Sequence, residues 1–178
     1  HVRSRRQRQM CIRDRSSTEG AEECARVASH TARDYLTATM DQGLPINDDD
    51  TVTLFERTFQ KTHEAVVSGS GPIGACTLAV AVATHDRIVV GNIGDTRTYW
   101  FPDDGDPVRL SIDDSMAQAQ MDLGLSREEA ERGMGAHAIT KWIGASATDV
   151  APRVMAYQPQ QSGWLLVCSD GLWNTYRM

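Results

Sequence analysis

The strongest prediction about the fold comes from the stretch Ile88-Val-Val-Gly-Asn-Ile-Gly-Asp-Thr-Arg-Thr-Tyr-Trp-Phe101. Its first six residues are nearly all apolar, which predicts a buried strand, and Tyr99 to Phe101 predict a second strand. Gly94 and Asp95 lie between them. Because glycine adopts the positive φ that tight turns need and aspartate tolerates it, we predict a hairpin. A carboxylate, a threonine and an arginine where the chain leaves a buried strand also make this a candidate functional position.

The composition indicates one domain with an uneven distribution of charge. The chain has 178 residues, of which 40% are apolar, enough for a domain with a real core. Its net charge is -6, but six of the 18 basic residues lie in the first 15 positions, and the rest of the chain carries 12 basic and 23 acidic residues. A domain this acidic argues against a nucleic-acid partner. No apolar run approaches the roughly 20 residues that cross a bilayer, so no membrane partner is expected.

The basic N-terminal stretch is expected to stand apart from the domain. Residues 1–17 lack apolar periodicity, and we interpret them as a disordered or non-native arm, with an arginine-rich arm for nucleic acid or membrane as the alternative. The expected domain covers residues 18–178. The four cysteines show no Cys-x-x-Cys spacing and no secretory signal precedes them, so reduced thiols in a cytoplasmic protein are expected.

Two helices, a strand-rich middle and two final strands are predicted along the domain. The first helix begins near Glu19, buries Cys24, Ala28, Ala32, Tyr35 and Leu36, and ends near Gly43; the second is capped within Asn47 to Asp50 and buries Val52, Phe55, Phe59 and Val66. Strands are predicted over residues 76–84, 88–93, 108–111, 150–157 and 163–168, with short helices ending at Met121 and beginning at Ser126.

Two predicted strands end in a carboxylate beside a glycine. Asp95 follows Gly94, and Asp170 precedes Gly171. Glycine lets the backbone approach a bound ion closely, and carboxylate oxygens suit Mg²⁺ or Mn²⁺. Each pair is also ordinary turn chemistry, so a divalent-cation site and two simple turns stand as alternatives.

An ordered set of motifs resembles the metal-dependent protein phosphatases of the protein phosphatase 2C family. Residues 91–99 resemble the family's G-D-S-R-x-Y segment, and residues 167–173 resemble its S-D-G-L-W-D segment. Between them, residues 110–115, 125–130 and 139–144 resemble the family's flap motifs L-T-x-D-H-S, T-x-E-E-A and I-T-R-A-L-G. The resemblance covers about residues 19–176, and an ordered set of motifs is far more specific than any single one.

This resemblance implies both a fold and a set of site residues. The fold would be α+β, with two antiparallel sheets packed as a sandwich flanked by helices and incomplete at both ends. Asp170 would bind a dinuclear Mn²⁺ or Mg²⁺ centre and Asp95 a third ion, with Gly171 and Gly94 as neighbouring backbone. The flap, residues 111–144, would bring Asp114, Ser115 and His137 to the site, and Arg97 would hold the hairpin.

The implied function is hydrolysis of phosphoserine and phosphothreonine in a phosphorylated protein substrate by a metal-bound water, in a monomer. Two features of this sequence differ from the family's pattern. Residues 1–17 do not resemble the family's first catalytic segment or its D-G-x-G-G segment, and its closing D-N motif would lie beyond Met178. We therefore expect an internal fragment with little activity and marginal stability. The alternative is a non-catalytic pseudophosphatase or regulatory binding module, and the genomic sequence on both sides would discriminate between them.

Overall fold

The computed structural model describes residues 9–10, 20–40, 43–45, 47–69 and 74–176. The helices are α1 (Ala21–Thr39), α2 (Asp48–Gly69), α3 (Met116–Asp122), α4 (Arg127–Arg132) and α5 (Asp170–Tyr176). The strands are β1 (Gln9–Met10), β2 (Ala75–Cys76), β3 (Leu78–Ala83), β4 (Ile88–Ile93), β5 (Arg97–Pro102), β6 (Val108–Arg109), β7 (Ile143–Gly144), β8 (Arg153–Tyr157) and β9 (Gly163–Cys168).

The strands form two main sheets and a small ribbon, all antiparallel. One sheet has the order β1-β3-β4-β8, the other has the order β6-β5-β9, and β2 pairs with β7. Of the arm predicted over residues 1–17, the described part is β1, which pairs with Val80 and Ala79 at one edge of the four-stranded sheet. The remaining arm residues lie outside the described ranges.

The two sheets pack face to face, with the long helices on one outer side. Ala79, Ile88 and Val90 of the four-stranded sheet share a buried cluster with Trp100 and Val167 of the three-stranded sheet. Alternate residues of the same strands point the other way and pack against α1 and α2; these are Leu78, Val80, Val82, Val89 and Ile93. Strands buried on both faces explain the nearly continuous apolar runs. The predicted sandwich flanked by helices is confirmed.

The helices follow the predicted apolar positions with two differences. In α1, Cys24, Ala28, Ala32 and Leu36 are buried as predicted and Tyr35 packs partly buried against the same cluster, but the helix ends at Thr39 and not near Gly43. In α2, Phe55, Phe59 and Val66 are buried, but Val52 is 37% exposed, so its prediction is wrong. The first turn instead buries Thr51, whose hydroxyl donates to the carbonyl of Asn47.

The segment at Gly94 and Asp95 is a crossover between sheets and not a hairpin turn. Strand β4 already pairs with β3 on one side and β8 on the other, whereas β5 pairs with β6 and β9. Residues 94–96 therefore carry the chain from one sheet to the other. The hairpin prediction is wrong because both edges of β4 are occupied. The two strands predicted over residues 76–84 and 88–93 do form a hairpin, that of β3 with β4.

A second crossover, residues 158–162, joins β8 to β9 at the opposite end of the sandwich, since Tyr157 pairs with Ile88 and Gly163 pairs with Pro102. The two connections thus lie at opposite ends of the same four strands. Among the described residues, none of the helices combines the length and apolar character that crossing a membrane requires.

Candidate functional site

Four strand ends meet at the end of the sandwich that contains residues 94–96, which we call the site end. Here β4 and β9 finish, and β5 and β8 begin. Arg97 pairs with Cys168 in the β5–β9 ladder. Asp95 lies two residues before Arg97, and Asp170 lies two residues after Cys168. The two predicted metal ligands therefore leave neighbouring antiparallel strands at the same level.

Trp173 joins the segments that carry these two carboxylates. Asp170 is the first residue of α5, and Trp173 follows it by about one helical turn. The Trp173 indole Nε1 donates a buried hydrogen bond of 2.9 Å to the main-chain carbonyl of Asp95. Asp95 is itself 5% exposed, and Asp170 is half-buried. The indole thus attaches the start of α5 to the crossover.

Arg97 is held by structural contacts at the site end. Its guanidinium lies 3.5 Å from the centroid of the Trp173 ring, and its Nη2 donates to Asp113 Oδ2 at 2.8 Å. Burial by itself acts to lower the pKa of Arg97, but the hydrogen bonds and negative charge of Asp113 outweigh it, and the pKa is raised. Arg109 also binds Asp113, and burial lowers the pKa of Arg109. These contacts agree with a structural role for Arg97.

The two glycines beside the carboxylates differ in their surroundings. Gly94 has φ +97°, and a Cβ atom there would overlap the side chain of Thr77. Gly171 lies in the first turn of α5, where a Cβ atom would make only an ordinary contact of 3.6 Å with Ser169 Oγ. Only Gly94 is therefore required by its backbone conformation and its neighbours.

The flap is anchored at the site end at both of its termini. At its start, Asp114 bonds to Gly94, and at its finish β7 pairs with β2. Its helices pack around a small cluster of buried alanines, Ala117, Ala130 and Ala136. The predicted capping box is present at Ser126 and Glu129.

The three flap residues predicted at the site occupy three different environments. Asp114 is buried against Gly94 and Arg153. Ser115 caps α3, since its hydroxyl accepts a hydrogen bond of 3.2 Å from the backbone amide of Gln118. His137 is exposed, and its ring centroid lies 6.4 Å from that of Trp173. Asp114 and His137 thus contact the segments that carry Asp95 and Asp170, whereas Ser115 organises the flap itself.

Several residues important at the site end were not predicted from the sequence. Asn92 is fully buried and donates from Nδ2 to the carbonyl of Ile112 at 2.9 Å. Trp173 lies inside a matched motif, which could have indicated it. Asp113 precedes a predicted short helix and has no other distinguishing pattern, and Arg153 follows a proline at the start of a strand with none either.

The third thiol of the domain lies close to this cluster but is packed into the core. Cys168 is 2% exposed, and burial raises its pKa. A protonated, inaccessible thiol is a poor nucleophile and a poor metal ligand. Together with buried Cys24 and Cys76, it fits the reduced core cysteines that the sequence predicted.

The donor chemistry of the site end suits a hard divalent cation, but the number of donors does not make a complete site. Asp95 and Asp170 supply carboxylate oxygens of the kind that Mg²⁺ and Mn²⁺ prefer. Within the described ranges, however, no group of three or more His, Cys, Asp or Glu residues is arranged to hold a metal ion.

Comparison with solved structures places this fold among bacterial phosphatases. The Mycobacterium tuberculosis serine/threonine phosphatase PstP/Ppp matches with a TM-score of 0.64 and 20% identity over 95% of this chain and 78% of that one. The S. agalactiae serine/threonine phosphatase matches with a TM-score of 0.67 and 20% identity over 88% of this chain and 66% of that one. The PstP catalytic domain in complex with two manganese ions matches with a TM-score of 0.58 and 22% identity, over 95% and 77% of the two chains.

This chain spans between 61% and 78% of the matched structures. No curated protein matches its sequence. The sequence profile of the family described as Protein phosphatase 2C matches residues 14–178, which is nearly the whole chain. With the sandwich, the flap and the ordered motifs already in place, we conclude that the chain belongs to the protein phosphatase 2C family.

Proposed function

We propose that this chain is part of a Mn²⁺- or Mg²⁺-dependent protein phosphatase that hydrolyses phosphoserine and phosphothreonine in protein substrates. The observation that carries the proposal is the pairing of Arg97 with Cys168, which brings the nearby Asp95 and Asp170 to one end of the sandwich beside the flap. Family membership supports the same reaction class. We also propose that the protein is cytoplasmic and monomeric. Light scattering of the purified chain, which measures its mass in solution, tests whether it is a monomer.

The residues have distinct roles in this proposal. Asp170 would hold part of a dinuclear centre, and Asp95 would hold a further, looser ion. When bound, such ions supply a hydroxide nucleophile and neutralise the phosphoryl oxygens. Trp173 holds the start of α5 against the crossover, and the flap would cover the approach to the site. Arg97 contributes through structure and not through the substrate.

We propose that the chain as printed has little activity of its own. The motifs that match the family include one core metal aspartate, Asp170, where the family has about four. Loss of most ligands removes the nucleophile along with the metal. Hydrolysis of p-nitrophenyl phosphate by the purified chain, measured with and without Mn²⁺, tests this. Manganese-dependent hydrolysis that Asp170→Asn abolishes would contradict low activity but would support the assignment of Asp170.

The second candidate is a non-catalytic binding module. It is favoured by the contrast between a fully formed flap, with its capping box and two anchors, and the absence of a three-ligand cluster in the described residues. Such a module would bind phosphorylated peptides without cleaving them. Fluorescence polarisation with matched phosphothreonine and threonine peptides tests the module: selective binding of the phosphopeptide supports it, equal binding of the two peptides contradicts it, and Mn²⁺-dependent release of phosphate favours the enzyme instead.

A further inference from the structure

Asp114 holds Gly94, the residue before the predicted ligand Asp95, by both of its main-chain polar groups. The Asp114 carboxylate accepts from the Gly94 amide through Oδ2 at 3.1 Å, and the Asp114 amide donates to the Gly94 carbonyl at 2.8 Å. The Asp114 carbonyl also accepts from the Thr140 amide at 2.8 Å, near the other end of the flap. One residue therefore connects the crossover to both ends of the flap.

A buried carboxylate needs a cation, and Arg153 supplies it. Asp114 is 1% exposed, and Arg153 Nε donates to its Oδ1 at 2.9 Å. Burial by itself acts to lower the pKa of Arg153, but the hydrogen bond and charge of Asp114 outweigh it and raise the pKa, so the guanidinium stays charged. Arg153 begins β8 directly opposite Asn92 of β4, which fixes its backbone within the sheet.

Arg153 also reaches the flap. Its Nη2 donates to Oδ2 of Asp122, the last residue of α3, at 3.3 Å. The Arg153 guanidinium thus binds both Asp114, which lies two residues before α3, and Asp122, which ends α3. The Asp122 contact is half-exposed and is expected to contribute less than the buried one.

Removing this cation has a defined physical consequence. The Asp114 carboxylate would be left buried without a partner for its charge, which is strongly unfavourable. The side chain can escape by turning toward water. This change weakens the bond to the Gly94 amide and frees the crossover that carries Asp95.

We propose that Arg153 is a positioning residue that acts through Asp114 to fix the Gly94–Asp95 crossover and the root of the flap together. It makes no contact with substrate in this role. The effect of Arg153 on cation binding rests on the proposed function, because that effect requires Asp95 to be a ligand. The positioning of Gly94 itself does not depend on that assumption.

Amide hydrogen exchange of the full chain, resolved by NMR, tests the proposal at a single atom. In Arg153→Gln we expect the Gly94 and Thr140 amides to exchange roughly tenfold faster, while the Val90 amide in the centre of the four-stranded sheet keeps its rate. Arg153→Lys keeps a cation and should restore most of the protection. Arg127→Gln is the matched control, since it removes an exposed i,i+4 ion pair with Glu131 inside the flap.

Asp122→Asn separates the two halves of the contact, and we expect it to speed exchange within α3 while leaving Gly94 unchanged. The proposal is overturned if Gly94 exchanges equally in wild type and Arg153→Gln, or if all core amides accelerate together. It is also overturned if Arg153→Lys is as fast as Arg153→Gln. Mn²⁺-induced broadening of the Asp95 and Asp170 resonances is measured separately. Broadening at both residues would support the proposed cation site, and the exchange result decides the role of Arg153 in either case.

Discussion

Gly94 and Gly171 flank the two predicted ligands, yet their substitution should have opposite effects. Gly94→Ala places a Cβ atom against Thr77 at a positive φ, and we expect it to lower the free energy of unfolding by about 2 kcal/mol. Gly171→Ala adds a methyl group at an exposed helical position, where alanine is favoured, and should raise it by up to about 1 kcal/mol. Urea denaturation followed by circular dichroism measures both.

Equal losses in the two variants would mean that both glycines are needed for the fold. The sequence could not separate them, because both appear as glycine beside aspartate at the end of a strand. What distinguishes Gly94 is Thr77, which is 17 positions away in sequence and lies against it because Leu78 pairs with Ile93 in the β3–β4 ladder.

At the scale of elements, the attachment of α5 to the crossover depends on one indole. Trp173→Phe keeps an aromatic ring beneath Arg97 but removes the Nε1 donor, leaving the buried Asp95 carbonyl without that hydrogen bond. We expect a loss of about 1–3 kcal/mol in the free energy of unfolding. Trp164→Phe is the control, since Trp164 is 77% exposed and its replacement should change little. A Trp173→Phe variant as stable as the control would contradict the role of the indole.

The elements themselves were largely predictable, whereas the partners of the strands were not. The period of apolar residues gave α1, α2 and most strands within a few residues, because local burial leaves a local pattern. The pairing of β4 with β8 joins segments about sixty residues apart, and nothing in the Gly94–Asp95 turn chemistry reports it. The sequence did contain one indication: β4 is apolar on nearly every residue. Such a strand lies in the centre of a sheet, where neither edge is free to pair with the next strand in sequence.

For the whole molecule, we expect stability to fall as the solution becomes acidic. Side-chain hydrogen bonds are the main cause that lowers the pKa of six surface carboxylates, Glu23, Glu64, Asp86, Asp122, Glu129 and Asp149. Because each folded pKa lies below its unfolded value, the contribution is present above about pH 4 and is lost as the pH falls through the folded pKa. The urea midpoint should therefore change little between about pH 6 and pH 5 and decrease as the pH falls through about 4 toward pH 3.

Asp149→Asn provides the control for this pH dependence. It removes the carboxylate that pairs with Lys141 at 2.6 Å, and the slope of the midpoint against pH should become slightly smaller. High salt should have a similar effect on the charge-paired groups, because they are exposed and screened. A midpoint that rises on acidification would contradict the assignment.

The motifs of the site were predicted from the sequence, but the residues that hold those motifs in place were not. Asp95 and Asp170 follow from the resemblance, and the structure brings their strands together. Arg153 and Asn92 could not be inferred, because each acts on a backbone or carboxylate group from a distant segment. Supporting residues of this kind depend on the final packing and carry no local signature.

The placement of the two crossovers has a practical consequence for the molecule. The connection at residues 158–162 lies at the far end of the sandwich, and its residues Gln160 to Ser162 are exposed. This connection is therefore separated from the site end by the length of the strands. Exposed loop tips accept added chain more readily than buried ones. An affinity tag or fluorescent reporter inserted there would leave Asp95, Asp170 and the flap untouched.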